Sequence, residues 1–137
     1  MWIRPSLENL KQEYHVEVVL KGNNFFDSEQ QFLDAAANGE VLTVDADVDS
    51  KIAYRSHTKS KQALLQLIRG YRSYPEFRNE NTIENLYNRI GAGESMTMPL
   101  VVRYSNGKMR VLAGNTRMDV AFQLGVNPQV LIIDIDK

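Results

Sequence analysis

The sequence contains no cysteine, only two histidines, and no apolar run approaching the roughly 18 residues that a membrane-spanning helix needs. The missing cysteine excludes disulfides, thiolate catalysis and cysteine-based metal sites. No charge excess is present either: the formal net charge is −1 and 24% of residues are charged, so no global field attracts nucleic acid or an anionic membrane. We therefore expect a cytoplasmic protein without a membrane partner.

With 137 residues, of which 43% are hydrophobic, the chain has the size of one ordinary domain. Such a chain buries about two thirds of its unfolded surface, so we expect one core. The predicted core consists of apolar residues at helical or strand spacing: Leu64, Leu67, Ile68, Leu86, Ile90, Val101, Leu112, Ala121, Leu124, Leu131 and Ile133.

Residues 1–73 predict a small, irregular α+β region. Asp27 or Ser28 could cap a helix that Gly39 would end. The predicted elements are a strand at "HVEVVL" (15–20), that helix at 27–39, a half-buried strand at 40–48, a loop at 49–61 and a helix from residue 60.

The second half carries clearer signals. Pro75 lies in a breaker between two helices, and Asn81 to Glu84 resembles a capping box at the start of the second. After that helix, which runs to Gly91, we predict a strand at 98–104, an Asn-Gly turn at 105–108, a strand at 109–113, a helix after Gly114 that Gly125 ends, and a central strand at 129–135.

The stretch "RVLAGNTRMDVAFQLG" (110–125) suggests an anion site. Gly114 lets the backbone turn from strand to helix, and the first helical N–H groups then carry a partial positive charge. Arg117 on the first turn could bind phosphate through its forked guanidinium. The alternative is a structural turn in which Asn115 or Thr116 caps the helix and Arg117 is solvated or pairs with Asp119 or another acid.

These segments resemble the ParB/sulfiredoxin-like family over residues 74–136. The matching stretches are "NTIENLYNRI", "MPLVVRYSNGK", "RVLAGNTRMDVAFQLG" and "VNPQVLIIDI". The resemblance implies an α+β fold in which a small mixed sheet is packed by helices at 74–137, with residues 1–73 as an addition of unassigned family on the same core. "RSYPEFRNENT" also resembles small ParB-like reading frames of tailed phages, which implies a phage origin.

The resemblance implies a nucleotide site at Gly114, Asn115, Thr116 and Arg117, with Arg78 or Glu80 near the pocket mouth. The implied ligand is a nucleoside triphosphate or diphosphate with magnesium. Two departures limit the analogy: the reactive cysteine of sulfiredoxin falls on Asn115 and its histidine on Thr116, so that thiol chemistry is excluded. Asp119 could form a capping pair with Thr116, and its charge would oppose a phosphate.

Functions of different classes follow from these observations. The first is a nucleotide-binding domain that hydrolyses or transfers phosphate. The second is a catalytically inert interaction module, such as a phage counter-defence protein that inhibits a host toxin or enzyme. A DNA-binding or nuclease-like protein is the third. Because the last predicted strand comes at the end of this sequence, we expect neither a helix-turn-helix region nor site-specific DNA partitioning.

Three further clusters have mainly structural explanations. Segment 55–78 is locally basic and contains aromatics, which could suit nucleic acid or a protein partner, although a solvated helix face explains it better. Asp45, Asp47 and Asp49 would share one face of a strand and could bind a divalent cation, as could Asp134 and Asp136. Met96 and Met98 indicate gap-filling core residues.

Overall fold

The computed structural model describes residues 1–55, 57–69 and 80–136. Helices and strands alternate irregularly along these residues, which confirms the α+β class. The elements are β1 (Trp2–Ile3), α1 (Leu7–Tyr14), a π-helical segment (His15–Leu20), α2 (Glu29–Ala37), β2 (Glu40–Thr43), α3 (Ala46–Asp49), β3 (Ile52–Ala53), α4 (Lys61–Arg69), α5 (Glu80–Gly91), β4 (Met96–Thr97), β5 (Leu100–Arg103), β6 (Met109–Ala113), α6 (Asn115–Gln123) and β7 (Gln129–Asp134).

A mixed sheet of five strands, in the order β2-β7-β5-β6-β3, forms the centre of the fold. Strands β5 and β6 form the predicted antiparallel hairpin, and Gly107 lies in its turn with φ +90°. Strand β7 runs parallel to β5 and antiparallel to β2, so the predicted central position of this apolar strand is confirmed. Strands β1 and β4 form a separate parallel pair.

The sheet divides the buried side chains into separate clusters. Because neighbouring residues of a strand point to opposite faces, Leu112 and Leu131 lie in one cluster and Val101 in another. Leu64 and Ile90 belong to a third cluster, which lies among α4, α5 and α6. The prediction that these residues form one core is therefore wrong, because they are divided among three clusters.

Most of the predicted core residues are nevertheless buried, with Val101 and Ile133 at 0% exposure. Leu67 and Leu86 are half-buried. The prediction that Leu124 belongs to the core is wrong, because this residue is the C-cap of α6 and is 41% exposed. The side chain of Ile68 lies outside the described part of the structure.

The strand predicted at 15–20 is wrong, since this segment continues α1 as a π-helix. Its β-branched residues favour a strand only weakly, and contacts elsewhere in the fold override that preference. Glu17 lies in this segment. Its side chain is 2% exposed and forms an ion pair with Arg55. The π-helical turn thus carries a buried charge.

Helix α2 confirms the prediction at 27–39, with Ser28 as its cap: the hydroxyl accepts a hydrogen bond from the Gln31 N–H. Gly39 has a different role from the predicted helix stop. A Cβ at Gly39 would lie 2.6 Å from the backbone oxygen of Ile132, so the glycine permits close approach to β7.

The strand predicted at 40–48 is too long. Strand β2 ends at Thr43, and the Asp45 carboxylate accepts a hydrogen bond from the Val48 N–H at the start of α3. The loop predicted at 49–61 contains β3, a two-residue strand beside β6.

Helix α5 begins at Glu80, one residue before the predicted capping box, and the side chains of Asn81 and Thr82 lie outside the described part. Met96 and Met98 are each 6% exposed, which confirms their placement in the core. Gly125 follows α6 with φ +72°, as expected for a helix stop. None of the helices in the described ranges has the length and apolar content needed to cross a membrane.

Candidate functional site

The candidate site begins at Gly114, where β6 meets α6. Gly114 has φ +91° and ψ 21°, a left-handed conformation that glycine adopts without steric cost. It is the N-cap of α6, and no side chain caps the helix there. The predicted caps, Asn115 and Thr116, therefore do not act as caps, because both already belong to the first turn.

Arg117 bends back over the start of its own helix. Its Nη1 donates a hydrogen bond of 2.7 Å to the backbone oxygen of Thr97, and a Cβ at Gly114 would come within 2.7 Å of Nη2. The same guanidinium lies 3.6 Å from a carboxylate oxygen of Glu13 on α1. The side chain of Arg117 is only 15% exposed, so these partners enclose most of it.

Asn115 and Thr116 are 6% and 7% exposed. The side-chain oxygen of Asn115 accepts a hydrogen bond of 3.0 Å from the backbone N–H of Arg55. This contact joins the first turn of α6 to the segment that follows β3, so Asn115 anchors a distant part of the chain.

Arg55 supplies a second guanidinium at the junction. Its Nη2 donates a hydrogen bond of 2.6 Å to the backbone oxygen of Leu112, two residues before Gly114. The same nitrogen forms a short ion pair with Glu17, which also accepts a hydrogen bond from Asn23. The sequence places Arg55 only in a locally basic segment, since no local pattern links it to residues near position 112.

Asp119 is fully buried, which corrects its predicted role as a partner of Thr116. Its Oδ2 accepts hydrogen bonds from the Thr58 hydroxyl at 2.8 Å and from the Thr58 N–H at 3.2 Å. Its Oδ1 is buried without a hydrogen bond. Asp119 therefore holds the segment after β3 against α6, and it does not cap the helix.

Asn115, Asp119 and Gln123 share one face of α6, because they are four residues apart. Gln123 donates a hydrogen bond of 3.1 Å to the Thr58 backbone oxygen and accepts one from the Tyr87 hydroxyl. Each of the three side chains thus binds the segment from Arg55 to Thr58. The spacing of these polar residues is the signal from which this face could have been predicted.

Aromatic rings lie beside this polar face. The Tyr54 and His57 rings are 5.1 Å apart, and each is 6.0 Å from the Phe122 ring. The Tyr54 hydroxyl donates a hydrogen bond of 2.5 Å to Asp49. Burial, together with that bond, raises the pKa of Tyr54 far above its usual range, so its hydroxyl stays protonated in ordinary buffers.

Burial raises the pKa of Asp119, although its hydrogen bonds from Thr58 act in the opposite direction. The folded protein therefore keeps the proton to a higher pH than the unfolded chain, whose aspartate pKa is about 3.9. As pH rises through that unfolded value, Asp119 increasingly lowers the free energy of unfolding, and the loss is complete above its folded pKa.

We expect Asp119→Asn to remove this pH-dependent loss, since an amide cannot ionise but its oxygen can still accept from Thr58. The melting temperature of the variant, relative to the unsubstituted protein, should rise as the pH is raised above the unfolded aspartate pKa of about 3.9. Thermal melts followed by circular dichroism across that range measure the difference. A constant deficit at every pH would mean that the hydrogen bonds, and not the buried charge, dominate at this position.

The structure brings together four of the six predicted site residues, from Gly114 to Arg117. Arg78 lies outside the described residues, and Glu80 is the first residue of α5, with its side chain outside the described part. In the basic segment at 55–78, Lys61 pairs with Glu84 at 2.6 Å, whereas residues 70–78 are not described.

The less favoured alternative for Asp45, Asp47 and Asp49, a cation site on one face of a strand, does not match the structure. Asp45 caps α3, Asp47 pairs with Lys51 at 3.3 Å, and Asp49 accepts the hydrogen bond from Tyr54, so they do not form one face of a strand. In the ranges that the structure describes, no three histidine, aspartate or glutamate side chains lie close enough to hold a metal ion together.

Comparison of the chain with protein-family models, with curated proteins and with solved structures found no match in any of the three. The resemblance to the ParB/sulfiredoxin-like family therefore stays a prediction from the quoted motifs.

Proposed function

We propose that this protein binds a phosphate group, in the form of a nucleoside diphosphate or triphosphate, at the start of α6. The observation that carries the proposal is the helix start itself: Gly114 leaves it without a side-chain cap, and the Arg117 guanidinium lies directly against it. Helix N-termini attract anions through their N–H groups and the helix dipole. A second guanidinium, that of Arg55, binds Leu112 nearby.

The two arginines have different roles in this proposal. Arg55 is held by Glu17, which is 2% exposed, and so it supplies a fixed charge near the helix start. Arg117 pairs with Glu13 at the longer distance of 3.6 Å, and the Glu13 side chain is 32% exposed. A phosphate can compete with Glu13 for the Arg117 fork, because phosphate accepts two parallel hydrogen bonds from a guanidinium.

The predicted family supports the same ligand. The β5-β6 hairpin leads into α6, and α6 returns the chain to β7, which runs parallel to β5. The family resemblance implies that nucleotide phosphates, with magnesium, bind at such a junction between strand and helix.

We expect one nucleotide among ATP, ADP, CTP and GTP to bind the unsubstituted protein, and Arg117→Ala to weaken that binding about tenfold to a hundredfold. The physical reason is the loss of a charge-assisted hydrogen bond, worth roughly 1.5–3 kcal/mol. Titration calorimetry with and without magnesium measures the affinity. Arg89→Ala is the matched control, since it removes an exposed guanidinium whose side chain bonds only to Ser95 and Glu94 in the described part.

Two results would reject the proposal: no heat from any nucleotide, or equal affinity for the Arg117→Ala variant and the unsubstituted protein. A thermal melt gives an independent check, because a ligand at 100 times its dissociation constant stabilises the native state by about 2.7 kcal/mol. Arg117→Lys separates charge from shape, since lysine keeps the charge but loses the fork.

A specific observation favours the second candidate, an interaction module without catalysis. Glu13 and Glu17 already satisfy the charges of Arg117 and Arg55, and these pairs join α1 and the π-helical segment to the region around α6. In that case Arg117→Ala lowers the free energy of unfolding while nucleotides have no effect on either protein. The protein would then act through a protein partner, as a phage counter-defence protein does.

A further inference from the structure

A small cavity lies between α2 and the end of β7, outside the candidate nucleotide site. Its volume is about 240 Å³. Phe25, Phe26, Ala35 and Ile135 form its apolar part. We call it the α2–β7 cavity.

Three carboxylates also line the α2–β7 cavity: Asp27, Asp134 and Asp136. The Arg103 guanidinium lies 2.7 Å from Asp134 and holds the pKa of that carboxyl below its usual range. The side chains of Asp27 and Asp136 form no ion pair with any residue that the structure describes, and both residues are exposed. Within the described residues, the cavity therefore combines an apolar lining with two carboxylates that have no ion-pair partner.

The volume and the charge together select the occupant. Pockets for drug-sized ligands and cofactors measure about 300–1,000 Å³, so this cavity suits a single side chain better than a whole cofactor. A long cationic side chain matches it, because such side chains bury an apolar stem and keep a charged head in water. Arginine fits better than lysine, since its planar guanidinium stacks on aromatic rings and pairs with carboxylates through two hydrogen bonds.

We propose that the α2–β7 cavity binds an arginine side chain of a partner protein. The guanidinium would pair with Asp27 and Asp136 at the rim, and the methylene stem would lie along Phe25. The interaction is independent of the proposed nucleotide site, because none of the residues that line the cavity belongs to the start of α6.

The probe is the peptide acetyl-Gly-Gly-Arg-Gly-Gly-amide, added to the full chain labelled with nitrogen-15. We expect the amide resonances of the protein to shift at residues Phe25 to Gln31 and at Ile135, with no comparable shifts at Gly114 to Arg117. A control peptide has citrulline in place of the arginine. Citrulline is neutral and has nearly the same shape, so this peptide should bind at least threefold more weakly. Raising the salt concentration should weaken the binding of the arginine peptide, because salt screens the attraction between exposed charges.

Two variants test the charge and the cavity separately. Asp27→Asn with Asp136→Asn should weaken binding roughly three- to tenfold, the range expected for two exposed ion pairs. The matched control changes the same number of exposed acids elsewhere, Asp47→Asn with Glu94→Gln, and should leave binding unchanged. Ala35→Leu keeps every charge but fills the cavity, and it should also weaken binding.

Three outcomes would overturn the proposal. Equal binding of the arginine and citrulline peptides would exclude charge recognition. An equal effect of the cavity-rim pair and the control pair of acids would indicate nonspecific attraction to the surface. Unchanged binding by the Ala35→Leu variant would show that the peptide does not enter the cavity. Nucleotide binding should be the same in all these variants, which separates this test from that of the proposed function.

Discussion

Leu131→Ala is expected to lower the free energy of unfolding by about 2–5 kcal/mol, the range for a leucine deleted from a packed core. Leu131 is 1% exposed and lies in the middle of β7, where it is paired with Val41 on one side and Leu100 on the other. Its side chain also packs in the cluster that contains Phe32. Truncation leaves a void that this cluster can fill only in part.

Urea denaturation of the variant and the unsubstituted protein measures the loss. Leu124→Ala is the matched control: it deletes the same atoms from a side chain that is 41% exposed, so its effect should stay within about 0.5 kcal/mol. A loss below about 1 kcal/mol at Leu131 would be inconsistent with a central, fully packed β7.

Gly114→Ala is expected to destabilise the protein by about 2–5 kcal/mol, for two reasons that add. At φ +91° an L-residue is strained, at a cost of about 1–2 kcal/mol. The new Cβ would also lie 2.8 Å from the Pro99 Cβ and 2.7 Å from Arg117 Nη2, and such crowding costs about 1–3 kcal/mol. The guanidinium can move aside, whereas the proline ring cannot.

Gly93→Ala provides the control for backbone strain alone. Gly93 has φ +73°, and a Cβ there would meet no atom within 4 Å, so only the strain of about 1–2 kcal/mol should remain. The difference between the two variants in urea denaturation measures the crowding at the start of α6. Equal losses would contradict the close approach of Arg117 and Pro99 to Gly114, and with it the geometry on which the proposed phosphate site depends.

The elements that could be predicted from the sequence are those whose signals are local. The turn at 105–108 needs a glycine with positive φ, which Gly107 supplies. Ser28 caps α2 through an N–H three residues away, and Gly125 follows α6 in the left-handed conformation. The apolar run of β7 is long enough to predict a strand buried on both faces. Each of these signals is complete within a few residues of chain.

The errors fall on segments whose partners are distant in the sequence. At 15–20 the strand prediction failed because Glu17 is held inside by Arg55, which is 38 residues away. The sequence predicts that Asp119 acts within its own helix, but its partner Thr58 is 61 residues away. A pattern read over a short window contains no information on such contacts, and their energy exceeds the small local preferences that the window does report.

The candidate site combines both kinds of information. The spacing of Gly114 and Arg117 in the sequence is enough to predict that they lie close together at a helix start, because one turn of helix brings residues three apart together. Their surroundings depend on long-range packing: Glu13 lies beside Arg117, Arg55 binds Leu112, and Thr58 binds Asp119. These contacts depend on packing α1 and the segment after β3 around α6. Local spacing can therefore predict an anion site, but the charges that balance it are set by long-range packing.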